Sequence, residues 1–167
     1  MEIRDETPAE AAAIRHLTDT AFAGAEHASG TEGAIVDALR RTGALTLSLV
    51  AATDGEVVGH VAFSPVTIAG AACGWFGLGP VAVLPARQRA GIGAALIRAG
   101  LARLRIAGAA GCVVLGDPAY YPRFGFAPDP ALRFEGVPPE YFMALAFSDT
   151  SPAGAVVYHP AFYDPPS

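Results

Sequence analysis

Between Val83 and Gly100 the chain reads VLPARQRAGIGAALIRAG, with two arginines, a glutamine and two glycines just ahead of a long apolar helix. The run before it, WFGLGPVAVLP, reads as a buried strand that Pro85 brings to an end. The opening N–H groups of a helix have no intrahelical partner and sit at the positive end of its dipole. Gly91 and Gly93 carry no β-carbon to hold a ligand away, and Arg87 and Arg89 add formal charge beside them. These residue types in this order suit an anion, and a pyrophosphate fits well. Glycines ahead of a helix are also ordinary turn residues, so the segment alone leaves both readings open.

Two other phosphate loops can be compared with it. A Walker loop needs Lys-Ser or Lys-Thr after its last glycine, and here Ala94-Ala95 follow Gly93. A dinucleotide loop needs a third glycine where Leu96 stands. Asp117, about the right distance on, keeps a nucleotide-binding α/β domain open as an alternative.

The elements that must position these groups follow from the patterning. MEIRDET is a short strand, and an Ala-rich helix over Ala9–Phe22 places Ile14, Leu17 and Ala21 on one face. Thr31 is expected to cap a second helix through Arg41, with Ile35, Val36 and Leu39 inward. Leu45–Thr53 and Glu56–Ile68 are strands joined at Asp54-Gly55, a strong hairpin signal. Gly77, Gly79 and Pro80 inside the third strand predict a bulge or a close approach to the backbone. Gly91–Ala107 is the best helix, with Gly93, Leu96, Ile97, Gly100, Leu101 and Leu104 on one face and Arg98 and Arg105 opposite. CVVLG is a buried strand, and DPAYYPRFG a short helix with Asp117 as N-cap and Pro118 at its first position. Two late strands are expected around Met143–Phe147 and Ala155–Tyr158. The order predicts a mixed α/β sheet with helices on both faces.

Composition narrows the classes. The 167 residues suit one domain, and 52% hydrophobic with 16% charged residues is a globular composition. A net charge of −5 argues against a duplex-binding face, so no nucleic-acid partner is expected. Cys73 and Cys112 stand far apart with no ligand spacing around them, so neither a metal site nor a disulfide framework is expected. The acidic start MEIRDETPAE does not read as a signal peptide, and no apolar run reaches membrane length. The chain is expected to act in the cytoplasm, away from membranes.

The motifs in register carry a family resemblance. VAVLPARQRAGIGAAL resembles the acyl-CoA-binding motif of the GNAT superfamily of N-acetyltransferases, Gln/Arg-x-x-Gly-x-Gly/Ala after a strand, here Gln88-Arg89-Ala90-Gly91-Ile92-Gly93. YPRFGF, Tyr121–Phe126, resembles the Tyr-x-x-x-Gly-Phe element of the same superfamily. VVLGDPAYYPRFGF with a late YHPAF resembles a small bacterial subgroup, and the similarity covers most of the chain. It implies a single GNAT domain over residues 1–167, with a splayed pair of parallel strands in a mixed central sheet.

The same resemblance implies a co-substrate and roles for residues. Acetyl-CoA would be gripped by Gln88, Arg89, Ala90, Gly91, Ile92, Gly93 and Ala94 at its pyrophosphate, and by the backbone of Val81, Ala82 and Val83 along its pantetheine arm. The bulge at Gly77–Pro80 would open the cleft for the thioester, and an N–H near Val81 or Ala82 would meet the oxyanion. Tyr121 aligns with the family tyrosine and would protonate the leaving thiolate. Tyr120, pointing about 100° away on a helix, reads as a packing residue. No carboxylate stands on WFGLGPVAV; His60, alternating with Val58 and Ala62, could face the cleft as a base, its alternative being a hydrogen-bonded strand histidine, and Glu26, His27 or Glu32 could instead bind or deprotonate the amine. Glu26, His27 and Glu32 lie where relatives wall the acceptor site; solvated or capping charges are the alternative. The Asn that many relatives carry before the tyrosine helix is absent, the stretch here being Leu115-Gly116-Asp117.

The expected activity is acetyl transfer to an amine by direct attack on the thioester. An acyl-CoA-binding module without turnover is the alternative. The late strands and aromatic tail, VVYHPAFY, offer an edge on which a homodimer could form.

Overall fold

A computed structural model describes residues 1–23, 29–149 and 152–163. Its spine is a mixed sheet in the order β1-β2-β3-β4-β5-β7. The strands on that path are β1 (Glu2–Asp5), β2 (Leu47–Thr53), β3 (Glu56–Ile68), β4 (Ala71–Val83), β5 (Gly111–Leu115) and β7 (Phe142–Ala146). Two short strands lie off it: β6 (Leu132–Arg133) runs parallel to β8 (Gly154–Val157), which pairs with the end of β3. The helices are α1 (Ala11–Phe22), α2 (Glu32–Arg41) and α3 (Ile92–Ile106).

The β2–β3 hairpin forms where Asp54 and Gly55 stand, both at positive φ (51° and 79°). That pair of left-handed residues gives a turn whose twist matches the strands. Alternation then sorts the sheet into two faces. Leu49, Val61, Phe63 and Leu78 pack with Leu96, Ile97, Leu101 and Leu104 of α3. Val50, one residue on from Leu49, packs on the other face with Ile14 of α1 and Val36 of α2. Helices therefore cover both faces, as the element order predicts. Gly100 lets α3 come down onto the sheet, because the Phe63 ring fills the place of its missing β-carbon.

The feature that positions the site is a bulge. Along β3 and β4 the register passes from Val61↔Val81 to Phe63↔Leu78, so β4 carries one extra residue at Gly79-Pro80. The parallel pairing of β4 with β5 runs from Trp75↔Gly111 to Leu78↔Val114 and stops at that bulge. Beyond it, β4 keeps β3 as neighbour but no longer pairs with β5. The splayed pair of parallel strands is thus present, with the extra residue at its fork.

Three local readings shift. DPAYYPRFG is a turn followed by a 3-10 helix over Tyr121–Phe124 rather than a helix starting at Pro118. Asp117 caps the preceding turn instead, its carboxylate accepting from the Ala119 N–H at 2.8 Å, and Tyr120, the residue before the 3-10 helix, makes no side-chain cap bond. Thr31 precedes α2 without a side-chain cap bond. The two-residue β6 lay below what periodicity can show. Among the described residues no helix is long and apolar enough to cross a membrane.

Candidate active site

Gly91 is the residue before α3 and adopts φ 84°, a conformation that would strain any side-chain-bearing residue. Arg89 is left-handed too, at φ 66°, so the loop turns sharply into the helix. Above the helix start lies a cavity of about 390 Å³ lined by Val83, Arg87, Gln88, Arg89, Gly91, Ile92, Gly93, Ala94, Tyr120 and Arg123. Three arginines and no carboxylate line it, in a chain of net charge −5. The positive charge is local, as an anion site requires. Within this group the Gln88 side chain is already engaged, its amide donating to the Val83 carbonyl at 3.1 Å. It braces the loop against the strand end. Ala90 belongs to the same loop.

The β4 strand edge beside this cradle is open. The Leu84 N–H donates to the Val58 carbonyl across the β3–β4 ladder. In an antiparallel pair, hydrogen-bonded and non-hydrogen-bonded residues alternate. Ala82, opposite His60, therefore spends its backbone groups on β3. Val81 and Val83 direct theirs away from β3, toward the side where β5 no longer pairs. The Gln88 bond to the Val83 carbonyl agrees with that direction. Sequence alone treats Val81, Ala82 and Val83 alike; the ladder separates Ala82 from the other two.

The two tyrosines part company. The Tyr121 ring lies against Gly116, occupying the place of its missing β-carbon at the end of β5. It meets Phe126 edge-on at 6.0 Å, and burial pushes its phenol up to about 12. Tyr120 turns to the cradle, its hydroxyl over Gly93, with the Arg123 guanidinium 4.2 Å from its ring centre. Tyr120 also packs, as expected, meeting Tyr121 and Phe124 edge-on. Although it touches the core, it also lines the anion cavity. Arg123 was not flagged in the sequence, since only the turn of the 3-10 helix brings it to the cradle.

His60 does not open to solvent; it is 0% exposed. Its Nε2 lies 2.8 Å from Ser48 Oγ, and Nδ1 has no hydrogen-bond partner among the described residues. Burial, partly offset by the nearby Glu6 carboxylate, lowers its pKa to about 4, so the ring is neutral at pH 7. This is the hydrogen-bonded strand histidine rather than one facing an open cleft. Glu32 turns back on its own loop, accepting from the Ser29 N–H at 2.9 Å, the Ser29 hydroxyl at 2.8 Å and the Gly30 N–H at 3.1 Å. Burial pushes its carboxyl up, but these bonds outweigh it and hold the group below the usual range. Glu26 and His27 lie outside the described residues.

Burial raises the Cys112 thiol far above its usual range, which keeps it from serving as a thiolate nucleophile. Among the described residues no three His, Cys, Asp or Glu side chains gather as a metal site would require. Two other buried groups near the fork have no partner among the described residues: Ser64 Oγ, and the hydroxyl of Tyr158, whose ring covers Gly77. Gly77 is the cross-strand neighbour of Ser64.

An anion cradle at a helix start, beside an open strand edge at the fork of two parallel strands, defines a class of fold and site. Residues 45–128 match the model of the acetyltransferase (GNAT) domain, and the chain belongs to this acetyltransferase family. It is similar to the uncharacterized N-acetyltransferase YhbS of Escherichia coli K12, at 43% identity over 127 residues, 75% of this chain and 73% of that one. The crystal structure of YhbS from Escherichia coli in complex with CoA has 38% identity and a TM-score of 0.89, covering 98% of this chain and 92% of that one. A GNAT family acetyltransferase from Brucella melitensis, in complex with acetyl-CoA, has 56% identity and a TM-score of 0.86, covering 96% and 97%.

Proposed function

We propose that residues 1–167 form one N-acetyltransferase domain that transfers the acetyl group of acetyl-CoA directly to an amine. The observation that carries this reading is the alignment of two free features on one line. The amides opening α3 at Gly91 face the arginine-lined cradle, and the unpaired edge of Val81 and Val83 leads from it into the fork. A pyrophosphate with an extended amide-bearing arm matches both, the arm adding to β4 as a further strand would. Similarity to relatives solved with acetyl-CoA and CoA supports the same occupant.

In the transfer, the amine nitrogen bonds to the thioester carbon and the carbon–sulfur bond breaks. The Val81 N–H, free of the β3 ladder, is the donor for the oxygen that gains charge. Tyr121, protonated at every working pH, donates its proton to the departing thiolate. Burial that raises the phenol also raises the proton affinity of a thiolate in the same cleft, so the two stay comparable. The amine's proton passes to water, His60 being fully buried. With Cys112 held as a buried thiol, and the exposed Cys73 near the start of β4 rather than at its Val81–Val83 end, direct attack is favoured over an acyl-cysteine. Glu32, its carboxylate held by Ser29 and Gly30, is kept as a candidate on the acceptor side of this proposal.

The test is thiol release from acetyl-CoA with a panel of amines: polyamines, aromatic amines, amino acids and peptides with free N-termini. Release that depends on one class of amine establishes turnover and the acceptor together. Tight CoA binding with no release for any amine would instead make the chain a binding module.

A further inference from the structure

The walls of the cradle hang from the two strands that part at the fork. On one side β4 ends at Val83, and the loop carrying Arg87 and Arg89 leads into α3. On the other side β5 ends at Leu115, and the turn after it brings Tyr120 and Arg123 to the same cavity. That turn is fixed locally. Gly125, left-handed at φ 102°, donates its N–H to the Pro122 carbonyl and ends the 3-10 helix. The Tyr121 ring seats the turn on Gly116. Arg123 is then held twice over: its Nε donates to the Tyr120 carbonyl at 2.8 Å, and its guanidinium stands 4.2 Å from the centre of the Tyr120 ring. One phenol ring separates this charge from the helix start, since the Tyr120 hydroxyl stands over Gly93.

Elsewhere the chain spends its arginines differently. Arg4, Arg15, Arg40 and Arg103 each hold a carboxylate. Arg98 and Arg105 lie over the rings of Phe124 and Phe147. Arg87, Arg89 and Arg123 have no carboxylate partner among the described residues, although acidic residues outnumber basic ones 16 to 11. Unpaired guanidiniums around one cavity repel one another until an anion enters it. Of the Arg123 donors only Nε is used, so both Nη groups are without an acceptor among the described residues. Their planar fork suits the oxygens of a phosphate, and the ring and carbonyl of Tyr120 hold it in place before any ligand arrives.

We propose that Arg123 is a phosphate-binding residue of the donor site: from the β5 side of the fork it takes a phosphate of the coenzyme A that the α3 start and the loop arginines hold from the β4 side. This rests on reading the cradle as the coenzyme A site. A donor gripped from both walls ties together the two strands that part at the bulge, where the thioester has to lie. Arg123 takes no part in bond making or breaking; its contact is one of charge and hydrogen bonding, the same before and after the acetyl group leaves. The diphosphate and the 3′-phosphate of coenzyme A offer the same chemistry, and ligands lacking one or both tell them apart.

The experiment measures affinities for CoA, dephospho-CoA and, by displacement, phosphate-free pantetheine, using isothermal titration of the wild type, Arg123→Met and Arg123→Glu. Thermal melts establish that both variants are folded, as the exposed position of Arg123 leads one to expect. Arg123→Met keeps the stem over the Tyr120 ring and drops the charge. It is expected to weaken CoA binding by about tenfold or more, the worth of one charge-assisted hydrogen bond, and Arg123→Glu by a larger factor. Pantetheine affinity is expected to hold in both. A loss shared by dephospho-CoA puts the contact on the diphosphate, and a loss confined to CoA puts it on the 3′-phosphate; either supports the proposal. Unchanged CoA affinity in the folded variants overturns it. So does an equal loss for pantetheine, because an arginine that merely shapes the turn would damage the whole site alike. Wild-type protein that binds CoA yet releases no thiol with any amine counts against the acetyltransferase reading, while the titrations still judge Arg123. Wild-type protein that binds no CoA overturns both.

Discussion

The Tyr120 hydroxyl lies 3.9 Å from where a β-carbon on Gly93 would stand, and Val83 Cγ2 lies 3.7 Å from the same point. That empty volume is bounded by the strand end on one side and a phenol on the other. A β-carbon alone would fit; a larger side chain would occupy the cradle itself.

Gly93→Val is therefore expected to weaken CoA binding by tenfold or more while leaving the fold intact. Replacing a helical glycine removes a propensity cost of up to about 1 kcal/mol relative to alanine, so stability should hold or rise slightly. Isothermal titration with CoA, beside a thermal melt, separates the two effects. Unchanged affinity in a folded variant would remove the Gly91 helix start from the binding site.

Tyr121→Phe deletes one hydroxyl from a ring packed against Gly116 and Phe126. The expected result is a fall in kcat of roughly 10²-fold with unchanged CoA affinity, the signature of a proton donor acting only on the leaving group. Tyr120→Phe should do the reverse, weakening CoA binding modestly and sparing kcat. Binding titration and turnover on both variants decide which phenol serves which end of the cofactor.

Proline scanning reads the strand edge. Val81→Pro removes an N–H that the β3 ladder does not use, so the protein should fold while kcat drops by on the order of 10²–10³-fold, as for a lost oxyanion donor. Ala82→Pro removes an N–H that β3 does use and should destabilise the sheet. Denaturant unfolding with turnover tells them apart; the opposite pattern would reverse the register deduced from the Leu84–Val58 bond.

His60 also predicts an acid-sensitive stability. Its pKa falls from the usual 6.5 to about 4 on folding, with burial the leading cause. The unfolded chain then binds more protons than the folded one between those values, so stability is full above pH 6.5 and lost progressively as pH falls toward 4. The lowered Glu6 carboxyl acts in the same direction at lower pH. The His60 share is on the order of 3 kcal/mol. Urea unfolding at pH 8 and pH 4.5 should show a smaller pH-dependent loss in His60→Gln than in the wild type. An equal loss in both would place the titrating group elsewhere.

Much of the site could be read from sequence because its parts are consecutive. Val83 to Ala94 carries strand end, turn and helix start in one stretch, and the amides of a helix start point outward wherever such a helix forms. The Asp54-Gly55 hairpin and the Gly79-Pro80 bulge are local for the same reason, since φ preferences and the missing proline N–H act within a few residues. Other features depended on what packs against what. That Val81 and Val83, but not Ala82, offer free backbone groups follows from a register with β3 that only the assembled sheet establishes. That Tyr120 faces the cradle while Tyr121 packs on Gly116 depends on how the 3-10 turn seats on Gly93 and Gly116. Arg40, Glu6, Ser48 and His60 come from α2, the end of β1, β2 and β3, and no spacing in the chain announces them. The residues themselves thus determined where the arginine-glycine turn opens α3, because that needs only neighbours. Tertiary structure decided which distant side chains meet, because the Arg40–Glu6–Ser48–His60 contacts exist only once α2, β2 and β3 have packed together.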